Sequence, residues 1–556
     1  MKRVFEVLRE LNPWWSDPKW YNEDRDIQQV FQSRIECRVR YRFRDKWIKS
    51  LISSSDAWGI RVIRGPRRVG KTTLMKLLIK DAIDSGLNPK AIVYLTLDNV
   101  ELMEAIERGT VSLRGLLREL IKSGLKKYGK VMVVIDEATF YDKWAITIKN
   151  LIDEHVIGPG VLVLITGSYS LELSQAKREL EGRMGILDND DVGQRFLFPM
   201  RFVELIENIA QEVNEFLKEP TMYGGPPTKL STRLTIFEEL ITPNNARVFK
   251  FFEKAYDEIG KLAIGYLEGV YFYTGGFPEA IYSFIRIGKV PDKSYTSFYE
   301  LLIQDAEKFS LSPRILEELL REKLVVSASF EMTFSELQIP IRLIRGGVKV
   351  LSIYEAERYL DYLTEGARVL LKLHTIKPIR KLNEPITFNR GKPLKLVYLD
   401  PLIFHSLYWI SRGVRTGIYQ TAKSFTLESM TSSSEDRIFF SSLYEAVVCS
   451  HIIRIPMMKY GVYVETYGRG VDGKEYADCI AWYFDQRALR HKIVPVEITT
   501  SRRLDEEALL EKARLAMNYL RSRLIVATRD QLAILTDRKG NVEAIAIPAS
   551  LLLLLI

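Results

Sequence analysis

A chain of 556 residues is longer than a single hydrophobic core usually sustains, so about two to four domains are expected. Apolar residues make up 47% and charged residues 27%, a globular balance that excludes disorder over most of the length. The net charge is +9, and the three cysteines, Cys37, Cys449 and Cys479, lie far apart with no CxxC pair, which excludes a readable zinc ribbon or disulfide framework.

The remaining compositional signals concern location. Scarce, scattered cysteines point to a reducing, cytoplasmic setting. Met1-Lys2-Arg3 opens no apolar signal core. The apolar run at 551–556 is too short to cross a bilayer, so no membrane partner is expected and this segment should dock into a core.

In chain order, residues 1–58 form a segment of expected helices. Residues 59–64 then read as a short strand. Gly65-Pro66-Arg67-Arg68-Val69-Gly70-Lys71-Thr72-Thr73 follows directly, with a helix from Leu74 onward. This is G-x-x-x-x-G-K-T in its required strand-to-helix context. Gly65 and Gly70 permit tight backbone dihedrals. The loop turns successive N–H groups inward at a helix N-terminus, which makes an anion nest. Lys71 is placed to reach the β- and γ-phosphates of ATP, and the Thr72 hydroxyl to hold Mg²⁺.

Residues 91–98 supply a second strand. The wholly apolar run Val131-Met132-Val133-Val134-Ile135 suits a buried parallel strand and ends in Asp136-Glu137. That ending looks like a Walker B motif. Asp136 would hold Mg²⁺, partly through water, and Glu137 would polarise the attacking water as a general base. A further run, 161–165, ends in Thr166-Gly167-Ser168, where either Thr166 or Ser168 could sense the γ-phosphate. Strands alternating with helices imply a three-layer α/β core with a parallel sheet over 59–205.

The chain resembles archaeal-type P-loop ATPases of AAA+/STAND-like build that carry a winged helix and a C-terminal restriction-endonuclease-like domain. The pieces that carry the resemblance run through most of the sequence. They are Asn12-Pro13-Trp14-Trp15, the P-loop, Asp136-Glu137 followed by Trp144, Thr166-Gly167-Ser168, Gly182-Arg183, Phe198-Pro199-Met200-Arg201-Phe202, Tyr273-Thr274-Gly275-Gly276-Phe277-Pro278-Glu279 and Tyr398-Leu399-Asp400-Pro401. The resemblance implies ATP hydrolysis with Mg²⁺. It also implies that Arg183 stabilises charge near the γ-phosphate, in cis or from a neighbouring subunit of a homo-oligomer. A helical lid would open at 275–278, within a 206–310 stretch that includes an insertion around Tyr223-Gly224-Gly225-Pro226-Pro227.

Over 311–400 the pattern is that of a winged helix: a helix at 314–323, capping boxes at Thr333-Phe334-Ser335-Glu336 and Ser352-Ile353-Tyr354-Glu355, then a strand at 368–373. Between 366 and 396 eight basic residues face one acid, Glu384. They are Arg368, Lys372, Lys377, Arg380, Lys381, Arg390, Lys392 and Lys395. On a wing such a cluster would contact the phosphates of double-stranded DNA.

Over 401–556 a helix carries Glu445, one strand carries Asp478 and the next carries Glu497. This is a restriction-endonuclease-like constellation and a candidate second metal site. Such sites place a lysine two residues after the glutamate, where it steers water and offsets phosphorane charge. Thr499 stands there instead. The role has either migrated, to Arg502, Arg503 or Lys512, or been lost, and a degenerate domain is the expectation. Three functions follow: an ATP-driven switch or motor on nucleic acid, a signalling ATPase whose nucleotide state gates protein assembly, and an ATP-regulated nuclease, the last weakened by Thr499.

Overall fold

The computed structural model describes residues 2–33, 44–167, 180, 182–187, 194–242, 246–338, 340–342, 348–388, 393–431, 435–456, 465–470, 473–485 and 488–555. Cys37, Ser168, Arg390 and Lys392 lie outside them. The chain divides into two compact units, Met1–Phe198 with Glu365–Arg368, and Pro199–Thr364 with Val369–Ile556.

In the first unit, α1 (Lys2–Leu11), α2 (Arg25–Ser33) and α3 (Arg44–Ser53) precede β1 (Trp58–Arg64) and α4 (Lys71–Asp84). There follow β2 (Ile92–Thr96), α5 (Val100–Glu107), α6 (Leu113–Tyr128), β3 (Val131–Asp136), α7 (Trp144–Asp153), β4 (Val161–Thr166), β5 (Gly185–Ile186) and β6 (Gln194–Phe196). The sheet runs β2-β3-β4-β1, with parallel pairing throughout and β6 parallel on the far side of β1. β5 pairs antiparallel with β1. The apolar runs of β3 and β4 are buried at every position, as strands covered by helices on both faces require.

The Asn12-Pro13-Trp14-Trp15 string closes the outer edge of this sheet. Asn12 Oδ1 accepts from the Tyr94 N–H (2.6 Å) and its Nδ2 donates to the Tyr94 carbonyl (2.8 Å). The indoles of Trp14 and Trp15 both donate to the Ile92 carbonyl. These groups satisfy the free backbone of edge strand β2 and protect it from pairing with another chain.

The second unit begins with helices: α8 (Phe202–Ile209), α9 (Gln211–Lys218), α10 (Leu230–Leu240), α11 (Ala246–Tyr266), α12 (Pro278–Ile287), α13 (Asp292–Lys308) and α14 (Pro313–Leu319). β7 (Ser329–Met332), the hairpin β8 (Pro340–Arg342) and β9 (Val348–Val350), α15 (Ile353–Asp361), β10 (Leu370–Thr375) and β11 (Leu394–Tyr398) follow. Next are α16 (Pro401–Ser411), α17 (Ile418–Thr431), α18 (Glu435–Ile452), β12 (Thr466–Arg469), β13 (Glu475–Ala477), β14 (Cys479–Asp485) and β15 (Arg490–Thr499). α19 (Glu506–Leu520), β16 (Leu524–Thr528), β17 (Ala533–Thr536), β18 (Val542–Pro548) and α20 (Ala549–Leu555) complete it. One sheet is ordered β13-β12-β10-β11-β7, the other β14-β15-β16-β18-β17.

Both capping boxes form, but only Ser352 opens an α-helix, its Oγ accepting from the Glu355 N–H at 3.2 Å. At Thr333 the box opens a short 3₁₀ turn, Phe334–Leu337, and the β8–β9 hairpin stands before α15. The final apolar run docks as expected, with 551–555 buried in α20. No helix of the described residues is long and apolar enough to cross a membrane.

Three of the strings quoted above meet in one buried knot of the second unit. Asp400 accepts from the N–H groups of Gly276 (2.7 Å) and Leu402 (2.9 Å). The Met200 N–H donates to the Gly276 carbonyl (2.7 Å) and the Tyr271 hydroxyl to the Met200 carbonyl (2.8 Å). The Arg454 guanidinium, fully buried, donates to the carbonyls of Pro199 (2.9 Å) and Leu399 (3.1 Å). Burial pushes the Asp400 carboxyl up to about 7. A Cβ on Gly276 would lie 2.0 Å from the Met200 carbonyl oxygen. Backbone cannot yield as a flexible side chain does, so Gly276→Ala is expected to cost about 1–3 kcal/mol or more by the usual scale of overpacking. Chemical denaturation of the purified variant would measure it, and an unchanged midpoint would show that the knot relaxes freely.

Candidate functional site

The P-loop sits where β1 hands over to α4. Gly65 is fixed by a close approach, since a Cβ there would fall 2.3 Å from the Leu197 carbonyl oxygen. Gly70 caps α4 with φ 95°, a left-handed conformation that glycine adopts without strain. Pro66 and Val69 are buried, Arg67, Arg68, Thr72 and Thr73 half-buried. Lys71 is 6% exposed, and its ammonium donates to the carbonyls of Gly65 (3.0 Å) and Pro66 (2.9 Å), so the loop wraps its own cation.

The strand order brings the other residues to the same edge. β3 ends at Asp136, level with Thr96 of β2, and Thr166 at the end of β4 is level with Ile63 of β1. All lie at the carboxyl ends of parallel strands, where open α/β sheets bind ligands. Asp136 is 2% exposed. Burial raises its carboxyl above the usual range, while hydrogen bonds from Thr72, Tyr94 and the Glu137 backbone act against that rise. The Tyr94 hydroxyl donates to Asp136 Oδ2 at 3.1 Å and the Glu137 N–H to Oδ1 at 3.0 Å. Glu137 follows in the left-handed region, φ 48°, and is half-buried. Among the described residues, Thr166 Oγ1 is buried without a hydrogen-bond partner. A nest at a helix N-terminus, a Thr72–Asp136 contact and an orphaned hydroxyl at the next strand end fit a magnesium nucleotide.

Arg183 stands elsewhere. It precedes β5, whose Gly185 and Ile186 pair with Gly59 and Trp58 at the amino end of β1. The P-loop leaves the other end of that strand, roughly 20 Å away at about 3.3 Å per residue. Arg183 is half exposed and pairs with Asp153 at 3.2 Å. In this structure its side chain is thus paired with Asp153, on the far side of β1 from the phosphate cradle.

A second cluster of charge lies in the other unit. Asp478 precedes β14, and Glu497 follows Val496, the partner of Cys479 in the adjacent strand. Glu445 comes from α18 and Glu475 from β13. The Lys395 ammonium, from β11, binds Glu475 (2.6 Å), Asp478 (2.7 Å) and Glu445. Asp478 Oδ2 also accepts from the Ile498 N–H (2.7 Å), and Glu445 from the Ser329 hydroxyl (2.8 Å). Lys512, from α19, binds Glu497. Burial pushes the carboxyls of Glu445, Glu475 and Glu497 up to about 7, 9 and 8. Asp478 is lowered: burial opposes its charge, but the Lys395 ammonium outweighs it.

Of the three residues considered for the missing lysine, the structure places Lys512 on Glu497, while Arg502 and Arg503 are exposed. The basic run of 366–396 does not stay together. Lys395 is buried among the acids, Arg368 is buried against Glu365 (3.1 Å), and Lys372 lies 3.6 Å from Asp361. Lys377, Arg380 and Lys381 remain exposed. Sequence reasoning missed Glu475 and misassigned Lys395. The signal for Lys395 was present: it is a lone charge in the otherwise apolar strand Leu394–Tyr398.

The chain is 23% identical over 190 residues to an uncharacterized protein of Haemophilus influenzae, covering 33% of this chain and 44% of that one. It is 22% identical over 284 residues to an uncharacterized protein of Methanocaldococcus jannaschii, covering 48% and 46%. It thus spans less than half the length of either relative. Among solved structures, a Walker-type ATPase of Pyrococcus abyssi aligns with 13% identity and a TM-score of 0.31, over 66% of this chain and 95% of that one. The Aeropyrum pernix ORC2 protein aligns with 13% identity and a TM-score of 0.32, over 69% and 94%. Residues 58–206 match the family described as an AAA domain, and this stretch is a P-loop domain of the nucleotide-binding type.

Proposed function

We propose that the chain is a Mg²⁺-dependent ATPase that works as a switch or motor on nucleic acid. The observation that carries the ATPase reading is the convergence of Lys71, Thr72, Asp136 and Glu137 at one edge of the sheet, with Thr72 among the groups that favour the charged form of Asp136. The loop N–H groups and Lys71 would hold the phosphates, Thr72 and Asp136 would hold the metal, and Glu137 would take the proton of the attacking water. When bound, Mg²⁺ would supply charge neutralisation for the phosphates.

The nucleic-acid reading rests on the second unit. α14, β7, the 3₁₀ turn, α15 and the antiparallel β10–β11 hairpin follow the order of a winged helix, with β11 between β10 and β7. The loop joining β10 to β11 carries the exposed Lys377, Arg380 and Lys381. α18, β12, β13, β14, β15, α19 and β16 then run helix, four strands, helix, strand, with β14 and β15 antiparallel and β16 parallel to β15. That order, with Glu445, Asp478, Glu497 and Lys512 in one cluster, supports a nuclease-like domain.

The test is DNA binding across a salt series, with and without ATP. Replacing Lys377, Arg380 and Lys381 together by glutamine is expected to weaken binding. It should also flatten the dependence of log K on log salt by about 0.9 for each phosphate that the variant no longer neutralises. An unaltered slope would favour the signalling reading, in which ATP gates a protein assembly.

A further inference from the structure

Thr235, Glu238 and Glu239 share one side of α10, at the i, i+3 and i+4 spacing of a single helical face. That face forms one wall of a cavity of about 480 Å³ in the second unit. The first residues of β15 form the other wall, together with Met517 near the end of α19 and the turn into β16 at Arg521. Leu382, in the β10–β11 loop, borders it. Ile241, Leu382, Ile493 and Met517 supply an apolar lining, and the volume falls in the range of small-molecule sites, about 300–1,000 Å³. Glu497 of the acidic cluster lies toward the other end of β15, roughly 20 Å away at about 3.3 Å per residue. The cavity is therefore a separate place in the fold.

Several polar groups of these walls bond one another. Lys492 pairs with Glu238 (2.8 Å) and Asp485 (3.3 Å), and Arg523 donates to the Thr242 carbonyl (2.8 Å). Others do not. Among the described residues, the side chains of Arg490, Arg521 and Glu239 form no ion pair or hydrogen bond. His491 is 9% exposed, and its Nδ1 is buried without a hydrogen-bond partner among the described residues. Phe484 (5.1 Å between ring centres) and Trp482 (5.6 Å) brace that ring edge-on. Burial lowers the pKa of the imidazole, which keeps the ring neutral near pH 7, and a neutral ring with its proton on Nε2 offers Nδ1 as an acceptor. Arg521 ends α19 at φ 57°, a left-handed position that glycine takes more readily.

The unpaired groups define what would fit. Two guanidiniums are forked donors that suit phosphate oxygens. A carboxylate and an imidazole nitrogen are acceptors that suit N–H groups. Inorganic phosphate would use only the guanidiniums and would leave most of the volume and the apolar lining unused. We propose that this cavity binds a nucleoside phosphate, with its phosphate on Arg490 and Arg521 and the N–H groups of its base on Glu239 and His491. The P-loop belongs to the first unit, so this is a second nucleotide site. The ligand is either a free nucleotide or the terminal nucleotide of a strand following the exposed Lys377, Arg380 and Lys381, whose loop runs on into Leu382. Only the second source rests on the nucleic-acid reading.

The experiment uses the full chain carrying Lys71→Ala, so that the P-loop does not compete, and isothermal titration calorimetry. GMP and CMP, whose bases carry amino groups, are expected to bind at one site per chain. They should bind about tenfold or more tightly than ribose 5-phosphate or inorganic phosphate, the worth of one hydrogen bond to a charged group. Arg490→Gln combined with Arg521→Gly is expected to weaken both nucleotides by about 10–100-fold. Glycine suits the backbone at 521, so this variant folds. Thr235→Trp, at an exposed position of α10, is expected to fill the cavity and weaken binding as well. Unchanged nucleotide affinity in either variant overturns the proposal. So does an absence of binding at millimolar nucleotide, or ribose 5-phosphate binding as tightly as GMP and CMP. Oligodeoxycytidylate with and without a 5′-phosphate separates the two sources. Tighter binding of the phosphorylated strand, lost in the arginine variant, supports the site as a strand-end pocket. Equal binding of the two strands, with GMP and CMP still bound, supports it as a free-nucleotide site. Replacing Lys377, Arg380 and Lys381 by glutamine tests the nucleic-acid reading and is expected to leave GMP affinity within a few-fold. A larger loss would place the phosphate on that loop and overturn its assignment to Arg490 and Arg521.

Discussion

Lys71→Ala is expected to abolish tight ATP binding and, with it, hydrolysis. The side chain is buried in the loop it serves, donating to the Gly65 and Pro66 carbonyls. Those carbonyls are weak partners for an ammonium compared with phosphate oxygens, so an arriving nucleotide draws the cation to itself. Charge-assisted hydrogen bonds are worth about 1.5–3 kcal/mol each. Without an ammonium to bond the β- and γ-phosphates, the loop should hold ATP roughly 10²–10⁴-fold more weakly. The helix N-terminus and the remaining loop N–H groups stay in place, so weak residual binding is compatible with the assignment. Calorimetric titration with ATP and Mg²⁺ gives the affinity, and phosphate release gives the rate. Unchanged hydrolysis by a correctly folded variant would remove the P-loop from the mechanism.

What could be read in advance follows from how local each signal is. The P-loop is a continuous string between a strand and a helix, and each of its residues is there for backbone geometry or charge that the string itself reveals. β3 and β4 are unbroken apolar runs, and an acid or a hydroxyl at the end of such a run has one edge of the sheet to occupy. The Met200, Gly276 and Asp400 strings were visible but mute, because their meaning is a backbone-to-carboxylate contact across more than a hundred residues. Lys395 was misread for a related reason. Counted along the chain it belongs to a basic run; in space its strand pairs with β7 and β10, and its side chain enters an acidic cluster built from α18, β13 and the start of β14. The position two residues after Glu497 shows the converse. Thr499 looks like a deletion of function when only the strand is considered, whereas Lys512 reaches Glu497 from the next helix. Arg183 could not be placed from its string, since nothing local tells which end of β1 a following segment will pair with.

Glu137→Gln is expected to separate binding from chemistry. Asp136 and Glu137 are adjacent in sequence but differ in setting. Asp136 ends β3 buried, hydrogen-bonded to Tyr94 and to the Glu137 N–H, a position that suits holding a metal and leaves it poorly exposed to water. Glu137 leaves the strand with φ 48° and is half-buried, so it retains the access to water that a base needs. Glutamine keeps the size and most of the hydrogen bonding of glutamate but cannot accept the proton of the attacking water. Nucleotide affinity should therefore hold to within a few-fold, while turnover falls by about 10²–10⁴-fold, the usual contribution of a general base. Asp136→Asn should behave differently, weakening the response to Mg²⁺ as well as the rate. Single-turnover hydrolysis, with nucleotide binding measured on the same samples, distinguishes the two. If Glu137→Gln hydrolyses ATP at the parent rate, the water is activated elsewhere, and Thr166, whose Oγ1 is buried at the end of β4 without a hydrogen-bond partner among the described residues, becomes the next residue to replace.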